Sequence, residues 1–154
     1  MYKYCSPTRS QITTGRYPYH NGFWHNNCPT AQLEGVPLKF VTIAEELQEA
    51  GFSTHAVGKW HQGQASDAYT PTRRGFDHDE GLYQAAGDHY EHMDGGYDWH
   101  VDDETDWSAR GVYSGNLVRT KSTSPLRLRL RLRLRQESFL LRLDALRRSQ
   151  CRCG

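Results

Sequence analysis

Cys5 stands in the polar stretch CSPTRS, two residues before Pro7 and four before Arg9. A cysteine that packs in a core keeps apolar neighbours, and this one has none. Pro7 suits the first turn of a helix, where a missing N–H costs nothing, and Gly15 suits a left-handed stop. The spacing therefore predicts a short helix over residues 7–14 with Cys5 just ahead of it. The unpaired amides and the dipole of such an end attract anions. A second reactive pair, Lys59 and His61, stands in GKWH at residues 58–61. It sets a cation beside a side chain that moves a proton near neutral pH. Each residue also has a plain reading: Cys5 as half of a bridge to Cys28, Lys59 as a solvated charge, His61 as a loop histidine.

The elements that must position these residues are unevenly marked. The clearest is TIAEELQEAG, residues 42–51, where Thr42 and Glu45 form a capping box, Ile43, Leu47 and Ala50 an apolar stripe, and Gly51 a stop. STHAV, residues 53–57, follows as a strand and runs directly into GKWH. A helix followed by a strand whose carboxyl end carries Gly, Lys and His is how open α/β sheets build sites. Residues 17–40, punctuated by Pro18, Gly22, Pro29, Gly35 and Pro37, read as loop. Residues 66–112, rich in Asp, Gly, His and Tyr, read as long loops with short strands. His89 and His92 lie there and read as loop histidines rather than as metal ligands.

The 154 residues allow one domain at most, and a hydrophobic fraction of 36% implies a thin core or part of a larger domain. The net charge of +1 conceals two compositions. Residues 1–124 carry 10 basic against 16 acidic side chains, and residues 125–154 carry 9 against 2. All 8 His, 4 Trp and 9 Tyr precede residue 125, so the chemistry is expected there. Five Leu-Arg repeats over residues 126–135 read as low complexity. The basic tail has no aromatic interleaving beyond Phe139, so no nucleic-acid partner is expected. The four cysteines show no CxxC pair, which argues against a zinc ribbon or a disulfide scaffold. No apolar run approaches a membrane span, and MYKYCSPTRS lacks the apolar middle of a signal peptide.

Taken together, CSPTR as a CxPxR pattern, TTGR at residues 13–16 and AGFSTHAVGKWHQG at residues 50–63 resemble the type I, formylglycine-dependent sulfatases in order and spacing. PTRRGFD at residues 71–77 and AAGDHYEH at residues 85–92 are similar to the arylsulfatase B, or N-acetylgalactosamine-4-sulfatase-like, branch. The resemblance covers residues 1–119. It implies an α/β fold, a partial alkaline-phosphatase-like sulfatase domain with a mixed sheet flanked by helices and long loops. Residues 120–154 would then form a basic Leu-Arg repeat tail, disordered or spurious.

The resemblance further implies a sulfuric ester hydrolase acting on aryl or glycan sulfates. Cys5 would be oxidised to formylglycine by a formylglycine-generating enzyme, and its hydrate bound to a divalent cation, calcium in most members. One hydroxyl of the hydrate attacks the ester sulfur and the alcohol leaves; the second hydroxyl then loses its proton, sulfate departs and the aldehyde returns. In this scheme Cys5 is nucleophile and metal ligand. Arg9 holds the hydrate, Lys59 binds the sulfate oxygens, and His61 moves the proton. Ser6, Pro7 and Thr8 serve the maturation enzyme and the turn. An acidic pair upstream of the cysteine and an Asp with Asn or Gln far downstream have no counterparts here, and Asp102 and Asp103 stand in the wrong order to replace them. The chain therefore reads as part of a catalytic domain, with the secretory pathway, the lysosome or the extracellular space as its expected location. A phosphonate or phosphate ester hydrolase of the same superfamily and an inactive fragment are the competing readings.

Overall fold

The computed structural model describes residues 4–24, 35–84 and 87–120. The chain divides into two units, Met1–Arg119 and Thr120–Gly154; among its described residues the first holds a four-stranded sheet and the helices Cys5–Thr14, Pro18–Asn21 and Ile43–Glu49, with a further helical stretch from residue 114. The Leu-Arg repeat, Cys28, Cys151 and Cys153 lie outside the described residues.

Helix α1 spans Cys5–Thr14 and ends on Gly15 in the left-handed conformation at φ 66. It begins two residues earlier than the sequence predicts, so Cys5 is its first residue. The reason is that Pro7 falls in the first turn, where N–H groups have no intrahelical partner, and the first helical bond runs from Thr8 N to Tyr4 O at 3.1 Å. Helix α2, Pro18–Asn21, occupies a stretch expected to be loop. It carries Pro at its start and left-handed Gly22 at its end, the signals that mark helices elsewhere in this chain.

Helix α3, Ile43–Glu49, has the expected capping box: Thr42 Oγ1 accepts from Glu45 N at 3.1 Å and Thr42 N donates to Glu45 Oε2 at 2.7 Å. Its expected apolar stripe is not buried. Ala44 is the buried residue of α3, while Ile43, Leu47 and Ala50 are exposed.

Strand β1 is His55–Lys59, shifted two residues beyond the expected 53–57 so that it includes Gly58 and Lys59. It pairs in parallel with β2, His78–Leu82, which pairs antiparallel with β3, His100–Val101, and β3 with β4, Glu104–Thr105. The sheet is mixed, as expected of the α/β class. Gly58 and Gly81 face each other across the parallel pair, and a Cβ on Gly81 would lie 1.8 Å from Gly58 O. β3 and β4 turn through Asp102 and Asp103, whose φ values of 51 and 73 supply the two left-handed residues of a tight hairpin.

PTRRGFD clasps α3 to this sheet. Pro71–Arg74 is a 3₁₀ turn. The buried Arg74 donates to Phe40 O at 2.6 Å and pairs with Glu45 at 3.5 Å, while Thr42 Oγ1 donates to Arg74 O at 2.8 Å. Burial pulls the Arg74 guanidinium below its usual pKa, and Glu45 opposes that shift. Asp77 accepts from Thr54 N at 2.8 Å and Gln48 Nε2 at 2.7 Å, and the backbone bond to Thr54 is the chief reason its pKa is lowered.

Candidate active site

α1 presents Cys5 at its amino end as an exposed, free thiol. One turn on, Arg9 turns inward and its Nη1 donates to Lys59 O, the last carbonyl of β1. That bond brings CSPTR and GKWH, 50 residues apart, to one place. Burial lowers the Arg9 pKa, and the negative charge available at Cys5 pulls it back. The guanidinium still remains charged at any working pH, so it is a fixed cation beside residue 5.

A second clasp lies deeper. Thr13 Oγ1 donates to Gln62 Oε1 at 2.6 Å, with both side chains buried. Behind it, Asn21 Nδ2 donates to Ser10 Oγ at 3.1 Å and Ser10 Oγ to Pro7 O at 2.8 Å. Ser6, Pro7 and Ser10 are fully buried, so the inner face of α1 is polar and satisfied rather than apolar.

Lys59 ends β1 half-buried, but the parallel ladder continues past it: Trp60 N donates to Leu82 O at 2.8 Å and His61 N to Tyr83 O at 3.1 Å. Trp60 is held by its indole, which donates to Gly63 O and Tyr69 O at 3.1 and 2.9 Å. His61 is buried, with φ at 52, a left-handed backbone that is uncommon outside glycine, asparagine, aspartate and histidine. The backbone thus gathers the segments bearing Cys5, Arg9, Lys59 and His61 at the carboxyl end of β1, where open sheets place ligands.

Beside them lies an acidic group that sequence reasoning missed. Tyr83 Oη is 3.2 Å from Asp79 Oδ1 and 3.1 Å from Asp103 Oδ1, and Thr72 Oγ1 donates to Asp103 Oδ2. A phenol has one proton, so both contacts are hydrogen bonds only when one carboxyl is protonated. Burial chiefly, opposed by the Tyr83 hydrogen bond and aided by the charges of Asp103 and Asp102, raises the Asp79 pKa to about 6, so this carboxyl takes up a proton as pH falls through about 6. Burial and the same two carboxylates, Asp79 and Asp103, drive the Tyr83 phenol upward, so it stays neutral. Asp102 Oδ1 accepts from Asp79 N at 2.9 Å and its Oδ2 from His78 Nδ1 at 3.1 Å.

The described residues do not fit a cation site. They contain no group of three or more His, Cys, Asp or Glu side chains able to hold a metal, and the oxygens of Asp102 and Asp103 already meet His78, the Asp79 N–H, Tyr83 and Thr72. His89 and His92 are apart: His89 Nδ1 contacts Ser114 Oγ at 2.8 Å, and the buried His92 donates from Nε2 to Ala109 O at 3.0 Å. No helix among the described residues is long and apolar enough to cross a membrane.

Comparison with known proteins adds three findings. A family model described as Sulfatase matches residues 2–106. Arylsulfatase J of Mus musculus is 39% identical over 120 residues, 73% of this chain and 20% of that protein. Arylsulfatase G of Rattus norvegicus is 45% identical over 78 residues, 51% and 14%, and N-acetylgalactosamine-6-sulfatase of Canis lupus familiaris 38% over 80 residues, 47% and 15%. The chain thus spans a fifth or less of the length of these relatives. In fold it is similar to the crystal structure of Ps i-CgsB, with a TM-score of 0.75 and 22% identity over 84% of this chain and 32% of that one. These relatives carry the family but do not single out the arylsulfatase B branch expected from PTRRGFD.

Proposed function

The chain belongs to the sulfatase family, and on that footing we propose that it is the nucleophile-bearing part of a sulfuric ester hydrolase for aryl or glycan sulfates. The observation that carries this reading is the bond from Arg9 to the carbonyl of Lys59, because it joins the two segments the chemistry needs. Cys5 is the precursor of formylglycine, which when formed supplies a hydrated carbonyl as oxygen nucleophile. Arg9, fixed at both ends, orients that group and offsets its charge. Lys59 meets the oxygens of the sulfate as a point charge, and His61 moves a proton at residue 5. Calcium is the cation proposed for this reaction, and among the described residues residue 5 is the one that would help to hold it.

The narrower elements of the proposal are an arylsulfatase B-like substrate class, maturation by a formylglycine-generating enzyme and a lysosomal or secreted location. Residues 120–154 are proposed as a basic tail outside the catalytic unit. The want of a cation-binding set among the described residues favours one second reading, an inactive part of a sulfatase. Two measurements separate them. Co-expression with the maturation enzyme should yield a Cys5 peptide that reacts with a hydrazide, a signal lost in Cys5→Ala. The same preparation, supplied with calcium, should release the alcohol from an aryl sulfate faster than from the matching aryl phosphonate. Unmodified thiol and no turnover favour the inactive reading, and preference for phosphonate overturns sulfate as the substrate.

A further inference from the structure

A cleft of about 330 Å³ opens beyond the carboxyl end of β2. It shares Tyr83 with the candidate site, since Tyr83 O accepts the His61 N–H. Four carboxylates line it: Asp67, Asp94, Asp98 and Asp103. Asp98 is buried and anchored by Tyr83 N at 3.1 Å and Gln84 N at 2.7 Å. Two stacked ring pairs reach its walls, Tyr83 on His100 with centroids 4.2 Å apart and Tyr97 on Trp107 at 4.4 Å. Gln84 lines the same cleft, is 4% exposed, and its Nε2 has no hydrogen-bond partner among the described residues.

These features select a ligand by its hydrogen-bonding capacity. An unpaired buried donor costs about 1–3 kcal/mol unless an acceptor meets it, which a metal ion or an ammonium group cannot supply. A sulfate accepts hydrogen bonds, yet four carboxylates repel it. A hydroxyl both donates to carboxylate and accepts from Gln84, and a ring bearing several hydroxyls also offers C–H faces to aromatic walls. We propose that this cleft binds an uncharged sugar ring. The inference deepens the proposed function and rests on it in one respect, that the bound ring neighbours a sulfated one. The cleft then favours a sulfated sugar flanked by an unsulfated unit over a uniformly sulfated chain.

The test is saturation-transfer NMR with lactose on the intact chain, beside putrescine and inorganic sulfate as cationic and anionic probes. Lactose should receive saturation, with affinity about tenfold weaker in Gln84→Leu and in Tyr97→Ala, and the unchanged circular dichroism of either variant would show that folding is kept. Absence of transfer to lactose, equal affinity in both variants, or preferential binding of putrescine or sulfate overturns the proposal. Aryl sulfate turnover measured in parallel reports on the proposed function alone, because an aryl sulfate carries no sugar ring.

Discussion

At the scale of single residues, the proximity of the segments bearing Cys5, Arg9 and Lys59 is legible because their spacing is local: Cys5 to Arg9 is one helical turn, and Lys59 ends a strand with His61 two residues beyond it. Asp79, Tyr83, Asp98 and Asp103 have no such signature, because they meet only through the register of β2 with the following hairpin. Asp79 also yields a pH prediction. Its carboxyl ionises less readily folded than unfolded, so its contribution is fully present below about pH 4 and is lost as pH rises through about 6. Asp79→Asn keeps an acceptor for the Tyr83 hydroxyl and removes that ionisation. Thermal unfolding should show the variant melting several degrees above the parent at pH 7.5 and level with it at pH 4. An unchanged difference between the two pH values would count against a raised Asp79 pKa.

Among elements, the start of α3 is legible because it is written in side chains that cap it, whereas β2 is not, since His-Asp-Glu-Gly-Leu contains few strand-forming residues. What makes β2 a strand is its position between β1 and the β3–β4 hairpin, with glycines that let two backbones touch. Gly81→Ala drives a methyl into Gly58 O and should cost about 3 kcal/mol or more. Chemical denaturation would measure it, and a loss below about 1 kcal/mol would mean that the two strands separate readily. The same region carries Lys59 and His61, so the variant should also weaken retention of any sulfated ligand. The apolar stripe of α3 marks a limit of sequence reading: periodicity shows that a face is apolar and not whether this chain covers it.

For the molecule as a whole, that uncovered face is the main physical liability. Ile43 and Leu47 on α3 are 56% and 40% exposed, and Leu38, Val41 and Phe52 at least half. Exposed apolar side chains in such number favour association. The chain should bind a hydrophobic dye and enlarge with concentration in light scattering, and the double change Ile43→Glu, Leu47→Glu should reduce both without loss of helical signal. Concentration-independent size in the parent would contradict this. The inner face of α1 carries a different consequence. Ser6 and Pro7 are sealed within the folded unit, although they follow the residue proposed to be oxidised. Under the proposed maturation, a catalyst that reads those neighbours would meet them only on a still extended polypeptide, so the order of biosynthetic events, and not the finished architecture, would decide whether residue 5 becomes reactive.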